Sequence, residues 1–186
     1  RPDRSRYRTS LESLLRLGLR EQEVFAAAVD PPEDEGFVEG EMAEHLGGLD
    51  GEPDRWRVAV DGRGSVLGLL WNGGGNDRLG PYASVRQIIV APGARAQGVG
   101  TVLLRTAEAE ARASDAVLML ISAFRTNPAW RLYRSLGFVD FPAPFRLDPN
   151  PEHIVLWKCL QPDAIPGSGV SVPVLRAMRA ADAKLL

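Results

Sequence analysis

The segment AVLMLIS at residues 116–122 is the feature that most constrains how this chain can fold. A strand with one face in water alternates apolar and polar residues, whereas this segment is apolar from Ala116 to Ile121. Uninterrupted apolar runs are typical of central strands that are covered on both faces. The segment therefore predicts a buried strand in the middle of a sheet.

The flanking segments predict the element order α-α-β-β-β-α-β-α-β-β. A helical pattern with an expected break near Gly18 comes first, and a second helix from about residue 37 to 46 is expected to stop at Gly47 and Gly48. Alternation around the turn DGRG predicts a hairpin, which is followed by an expected polar loop, NGGGNDRLGP. This order indicates an α/β or α+β sandwich with a mixed sheet.

Length and composition are those of an ordinary globular domain. The 186 residues fit one domain, and the apolar share of 45% and the charged share of 25% are average. The single cysteine, Cys159, excludes an internal disulfide, and no apolar run approaches the ~18 residues of a membrane span. Because no signal peptide is visible, we expect a cytoplasmic protein that does not bind membranes.

Acidic residues are concentrated in one segment. The net charge of −2 argues against nucleic-acid binding, yet residues 30–54 contain ten acidic residues and no basic one. Two interpretations are open, namely a solvated loop and helix face or a surface that attracts a cationic substrate. His45 and His153 have no metal-binding spacing with Cys159, so no metal is expected.

The stretch APGARAQGVGTVLL at residues 91–104 joins a predicted strand to a predicted helix. Glycines allow the backbone to approach a ligand closely, and the N–H groups at a helix N-terminus favour an anion. Arg95 can add a charge-assisted contact to a phosphate. The stretch therefore suits a phosphate or a pyrophosphate, and the alternative is a tight turn that binds nothing.

Two common nucleotide-binding motifs do not match this stretch. A Walker loop requires Gly-Lys-Ser/Thr, but Gly100 is followed by Thr101 and Val102. A Rossmann fingerprint requires a third glycine at the position where Leu103 stands. The expected ligand is therefore a phosphate compound of another class.

The stretch resembles the acetyl-CoA pyrophosphate loop of the GCN5-related N-acetyltransferase (GNAT) superfamily. The core of that loop, Q/R-x-x-G-x-G/A, is matched by Arg95, Gly98 and Gly100. The later segment LYRSLGF, which contains Tyr133, is similar to the family's L-Y-x-x-x-G-F. Two motifs on successive predicted helices are more specific than one glycine loop, and the element order from about residue 55 to 160 also fits.

The resemblance implies a mixed, mostly antiparallel sheet of about six to seven strands with about four helices, opened between two central parallel strands to hold acetyl-CoA. It implies that the backbone of Ile88, Ile89 and Val90 holds the pantetheine arm. The residues whose amides it assigns to the pyrophosphate are Arg95, Ala96, Gln97, Gly98, Val99, Gly100 and Thr101. Family members often have Asn seven residues before the helix tyrosine; Thr126 has that spacing and Asn127 follows it.

The resemblance also assigns roles in catalysis. Acetyl transfer requires an amine that loses its proton, a stabilised thioester oxygen and a thiolate that is protonated as it leaves. Tyr133 resembles the family's general acid; the alternative is a core residue on an apolar helix face. No motif marks the base that takes the proton from the amine. The candidates are Glu39, Glu41 and Glu44 on the second helix, acting through water. In this family the first two helices usually form the wall of the acceptor site.

The predicted function is acetyl-CoA-dependent N-acetyl transfer to a primary amine of a small or peptidic, cationic acceptor. Three alternatives stay open: a catalytically silent acyl-CoA-binding module, one half of a tandem acyltransferase, and transfer of a longer acyl group. Residues 1–160 form the predicted domain, 161–169 a linker and 170–186 a strand–helix tail. The tail resembles the start of many acetyltransferase domains, so it begins a second domain, supplies a first strand by permutation or by exchange in a homodimer, or packs as an appendage.

Overall fold

Helices and strands follow one another in the order that the sequence predicts. The computed structural model describes residues 7–27, 37–77, 80–141 and 153–161. The helices are α1 (Arg8–Ala27), α2 (Phe37–Gly51), α3 (Val99–Ala113) and α4 (Trp130–Ser135). The strands are β1 (Trp56–Val60), β2 (Val66–Asp77), β3 (Gly80–Val90), β4 (Leu118–Phe124), β5 (Val139–Asp140) and β6 (His153–Cys159).

The six strands form one sheet in the order β1-β2-β3-β4-β6-β5. β3 and β4 are parallel, whereas β1 with β2, β4 with β6 and β5 with β6 are antiparallel. The apolar segment that predicted a central strand forms β4, and its residues Leu118, Met119, Leu120 and Ile121 are at most 9% exposed. The predicted mixed, mostly antiparallel α/β architecture is therefore confirmed.

The chain divides into two compact units, of which the first contains the part up to Trp71 together with Gln87–Leu104. Apolar faces of α1 and α2 pack there against strand residues. The buried cluster consists of Leu11, Leu14, Leu15, Leu19, Val38, Met42, Trp56, Leu69, Trp71 and Ile89. Trp56 and Trp71 face each other across β1 and β2 and stack with their ring centroids 5.0 Å apart. This cross-strand aromatic pair joins the hairpin to the helices.

The second unit contains Asn72–Arg86 and the chain from Arg105 onward. Its buried cluster consists of Tyr82, Val117, Leu118, Leu120 and Trp157. β6 pairs with the whole of β4, from Leu118 opposite Cys159 to Phe124 opposite His153. The second unit is therefore built on the central strand and its antiparallel neighbour.

Two expectations based on glycine are wrong. α1 continues through Gly18, and α2 continues through Gly47 and Gly48. A Cβ atom on Gly18 would lie 2.3 Å from Cδ1 of Ile89, and one on Gly48 would lie 2.4 Å from the ring of Trp71. Gly18 and Gly48 therefore allow each helix to approach the sheet, and neither ends a helix.

The expected polar loop NGGGNDRLGP is also wrong over most of its length. β2 extends to Asp77 and β3 begins at Gly80. A strand ladder is held by backbone hydrogen bonds, so it forms here without the apolar alternation that would have marked it. Apart from Gln161, the predicted linker and the tail at residues 170–186 lie outside the described residues and stay predictions.

Alanine substitutions at two helix glycines, Gly18 in α1 and Gly47 in α2, should have opposite effects on stability. Gly18→Ala should lower the free energy of unfolding by about 1–3 kcal/mol, because the new methyl group overlaps Ile89. Gly47→Ala is the matched control: no atom of the described residues lies within 4 Å of the added Cβ, so better helix propensity should raise the free energy of unfolding by about 0.5–1 kcal/mol. Denaturant titration measures both, and a Gly18→Ala protein as stable as the Gly47→Ala protein would contradict the close contact.

Candidate functional site

The loop after β3 has an unusual backbone. A short 3-10 turn, Pro92–Ala94, follows the strand, and α3 begins at Val99. Between them, Ala96 has a φ of 58° and Gly98 a φ of 83°. Left-handed residues in a turn bring successive N–H groups together, an arrangement that binds anions. A non-glycine residue in this conformation is uncommon, and such strain is found most often at functional sites.

The first turn of α3 adds further N–H groups beside this loop. The N–H groups at the start of a helix have no partner within that helix. The helical bond from Val102 N–H to Gly98 O, at 3.0 Å, begins the regular pattern. No atom of the described residues lies within 4 Å of a Cβ built on Gly98, so the space beside its backbone is open. The residues predicted to bind a pyrophosphate, Arg95–Thr101, therefore lie together where an anion can be held.

The side chain of Arg95 is bound by the protein itself. Its Nη2 lies 2.8 and 2.6 Å from the two carboxylate oxygens of Glu21 on α1, and its Nε donates to Val90 O at 3.1 Å. Arg95 and Glu21 are 46% and 36% exposed, and surface pairs of this kind contribute about 0.2–1 kcal/mol. A phosphate could therefore replace the Glu21 carboxylate at small energetic cost.

The end of β3 is held by neighbouring elements. Ile89 is 6% exposed and packs on Gly18, and Ala91 N–H donates to Leu67 O at 2.9 Å. Together with the bond from Arg95 to Val90 O, these contacts fix the strand end from which the loop departs. The predicted contact of Ile88, Ile89 and Val90 with a pantetheine arm stays a prediction.

Among the candidate bases, Glu41 adjoins a buried histidine. His45 is 6% exposed, and its Nδ1 lies 2.7 Å from the carbonyl oxygen of Glu41. Because a carbonyl oxygen only accepts, Nδ1 carries the proton. The carboxylate of Glu41 lies 3.8 Å from the same nitrogen, whereas Glu44 is exposed. The His45 ring packs edge-on against Trp71, so His45 is a structural residue packed against the buried cluster of the first unit, one of the two roles, structural or surface, that the sequence left open.

Arginines of α1 neutralise part of the acidic segment. Arg16 Nη1 lies 2.5 Å from Glu39, and Arg8 donates to both oxygens of Asp50, at 2.6 and 3.1 Å. The hydrogen bonds from Arg8 lower the pKa of the Asp50 carboxyl. The acidic residues from 30 to 35 lie outside the described residues. Some of the acidic side chains therefore join α2 to α1, which the charge count alone did not reveal.

In the second unit, α4 carries Tyr133. The sequence predicts that Asn127 caps this helix, but α4 begins at Trp130, and its N-cap residue, Ala129, has no side-chain cap bond. Asn127 Oδ1 instead accepts the N–H of Ala129 at 2.9 Å in the turn that precedes α4. Thr126 is exposed and Asn127 is half-buried. Tyr133 is 4% exposed, and burial raises the pKa of its phenol above the ordinary value. Burial therefore keeps the phenol protonated and makes it a weaker acid than an exposed tyrosine.

Within residues 7–27, 37–77, 80–141 and 153–161, no three His, Cys, Asp or Glu side chains are arranged to hold a metal ion. In the same ranges, no helix is both long and apolar enough to cross a membrane.

The fold, together with the family match, is that of an acyltransferase. The model of the acetyltransferase (GNAT) family matches residues 21–138, which is more than half of the chain and includes both motifs. The chain therefore belongs to the GNAT acetyltransferase family. No curated protein matches it.

Solved structures share this fold at low sequence identity. Arylalkylamine N-acetyltransferase 2 from Aedes aegypti is 16% identical, with a TM-score of 0.63 over 84% of this chain and 96% of that one. A phosphinothricin acetyltransferase from Sinorhizobium meliloti in complex with AcCoA is 22% identical, with a TM-score of 0.55 over 88% and 92%. Naa20 from Chaetomium thermophilum, in complex with a bisubstrate analogue, is 23% identical, with a TM-score of 0.52 over 63% and 72%.

The raised pKa of Tyr133 predicts how the protein responds to alkali. Above the ordinary tyrosine pKa of about 10, the unfolded chain releases a proton that the folded chain retains, so the free energy of unfolding should fall as the pH rises beyond that value. Tyr133→Phe should remove this part of the fall. While the protein stays folded, wild type and variant should gain the same phenolate absorbance, and a larger gain in the wild type would show that Tyr133 ionises normally.

Proposed function

We propose that this protein transfers an acetyl group from acetyl-CoA to a primary amine of a small or peptidic acceptor. The observation that carries the proposal is the loop at residues 95–101, where two left-handed residues and a helix N-terminus offer N–H groups to an anion. The pyrophosphate of acetyl-CoA suits such a site, and AcCoA is present in the similar structure from Sinorhizobium meliloti. A cytoplasmic location and a homodimer with exchanged tails belong to this proposal, although its chemistry needs neither.

The proposed contacts with acetyl-CoA follow the order of the chain. The backbone of Ile88–Val90 binds the pantetheine arm, and the amides of residues 95–101 bind the pyrophosphate. Arg95 exchanges the Glu21 carboxylate for a phosphate oxygen, a replacement that the surface position of the ion pair favours. Thr126 or Asn127 adds a polar contact ahead of α4.

The proposed reaction is a direct transfer. The amine nitrogen attacks the thioester carbon, the C–S bond breaks, and the electron pair leaves on the CoA sulfur. Tyr133 gives its phenolic proton to that sulfur and is reprotonated from solvent, a role that its place in the motif LYRSLGF supports. The amine loses its proton to a base, so the products are an N-acetylated amine and CoA thiol.

The proposed base is Glu41 or Glu44, acting through a water molecule. Since Glu39 and Asp50 are paired with arginines, Glu41 and Glu44 are the carboxylates of α2 that we assign to a cationic amine. Glu41 is about one-third exposed, and the hydrogen bond from the Nδ1 of His45 to its carbonyl oxygen holds that turn of the helix. A cationic acceptor is therefore the class we propose.

The contribution of Arg95 is tested by a pair of substitutions. Arg95→Ala should weaken CoA binding about ten- to a hundredfold, because a charge-assisted hydrogen bond contributes about 1.5–3 kcal/mol. Glu21→Gln should leave the affinity unchanged or raise it, because it removes the internal competitor for the guanidinium. Isothermal titration calorimetry measures both. If both variants lose the same affinity, Arg95 acts by holding the loop, and its assignment to the phosphate is wrong.

The role of Tyr133 is tested by Tyr133→Phe, which keeps the ring and removes the acidic proton. Turnover should fall about a hundredfold or more, the size expected for a positioned general acid, while CoA affinity stays the same. Release of CoA thiol with a panel of amines measures turnover, and the panel should include arylalkylamines, phosphinothricin and peptide N-termini. Unchanged turnover would show that the role of Tyr133 is purely structural. Tight CoA binding by the wild type without thiol release from any amine would identify a binding module.

A further inference from the structure

The helix that carries Tyr133, α4, is too short to be stable without contacts to the rest of the protein. α4 has six residues, and isolated helices below about 12–15 residues are marginal in water. Tertiary contacts must therefore hold it in place, and some of them lie at its two ends. At its N-terminal end, Asn127 caps the turn and Trp130 Nε1 donates to Arg125 O at 3.2 Å.

At its C-terminal end, α4 is held by a lysine from β6. Lys158 Nζ donates to Leu136 O at 2.7 Å and lies 2.7 Å from the carboxylate of Glu108 on α3. The last carbonyls of a helix have no partner within that helix, and a cation there is favoured by the helix dipole. The side chains of Lys158 and Glu108 are only 21% and 17% exposed, so solvent screens this pair less than a surface pair.

The ionisation of Glu108 supports a stable contact between its carboxylate and Lys158. Burial by itself raises the pKa of Glu108, but hydrogen bonds from Lys158 and Arg112 lower it by more, and the net pKa lies below its ordinary value. Glu108 is therefore ionised at neutral pH and holds the ammonium group of Lys158 in place.

We propose that Lys158 is a positioning residue for Tyr133. Leu136, which it binds, follows Tyr133 by one helical turn, and Tyr133 O accepts the N–H groups of Leu136 at 3.0 Å and Phe138 at 3.1 Å. A shift of Leu136 is therefore passed directly to the backbone of Tyr133. The placement of α4 rests on contacts alone, whereas the consequence for catalysis rests on the function proposed above for Tyr133.

Arg112 provides a matched control for this role. It binds the same carboxylate, with Nη2 2.9 Å from Glu108, and it also donates to Leu160 O. Within the described part of the chain, none of its hydrogen bonds reaches α4. Loss of Lys158 or of Arg112 therefore removes one ion pair with Glu108, but only the loss of Lys158 releases the end of α4.

The test compares Lys158→Met with Arg112→Met in the full chain by hydrogen exchange and steady-state kinetics. Lys158→Met should speed amide exchange at residues 130–138 about tenfold and lower kcat on the order of ten- to a hundredfold, with the KM for acetyl-CoA within about twofold of wild type. Arg112→Met should change neither the exchange of α4 nor kcat. Lys158→Arg, which keeps the charge and the donors, should restore part of kcat.

Equal exchange of α4 in the two Met variants would overturn the proposal, and so would an equal loss of kcat. If Lys158→Met does not fold, Glu108→Gln replaces it, because this change removes the carboxylate that holds Lys158 and should also speed exchange of α4 relative to Arg112→Met. A wild type without turnover would refute the proposed function only, since the exchange comparison still decides whether Lys158 positions α4.

Discussion

The loop that we propose to bind the pyrophosphate, residues 95–101, is placed by the contact between Ile89 and Gly18. Three side-chain atoms of Ile89 lie 2.3–2.9 Å from the position that a Cβ on Gly18 would take. This close packing holds the end of β3 against α1. Ala91 N–H is then bound to Leu67 O, so little freedom is left before the 3-10 turn begins. The left-handed Ala96 and Gly98 therefore extend from a rigid strand end, which is the support that a preorganised binding site requires.

Ion pairs between distant parts of the chain act on the two functional segments within their own units. In the first unit, Glu21 holds Arg95 beside the loop; in the second, Glu108 holds Lys158 at the end of α4. The Arg95–Glu21 pair is exposed and contributes little to stability, whereas the Lys158–Glu108 pair is largely shielded from solvent. Both pairs fix which way a loop or a short helix lies. Some charged side chains of the chain therefore serve mainly to orient segments. The ion pairs between acidic residues of α2 and arginines of α1 are further examples.

Local features of the sequence predicted most of the fold. The apolar run at β4, the glycine loop before α3 and the turn at Asn127 before α4 each depend on residues close together in the chain, and the structure has all three. Gly18 and Gly48 were misread as helix ends because their role depends on Ile89 and Trp71, which are far away in sequence.

The candidate site was predictable only where a motif marks it. Arg95 and Tyr133 stand in recognisable patterns, but the partners that hold these segments do not. Glu21 lies 74 residues from Arg95, and Lys158 lies 50 residues from Glu108 and 22 from Leu136. Opposite charges at such separations give no periodic signal, so their pairing emerges only once the chain is folded.

The central claim is that the chain moves an acetyl group from acetyl-CoA to an amine nitrogen. The most direct test incubates the wild-type protein with acetyl-CoA labelled in the acetyl group and with cationic amines, and follows both the label and the free CoA thiol. We expect the label on the acceptor nitrogen in an amount equal to the thiol released. Thiol release without labelled amine, or bound acetyl-CoA that loses no label, would contradict the claim.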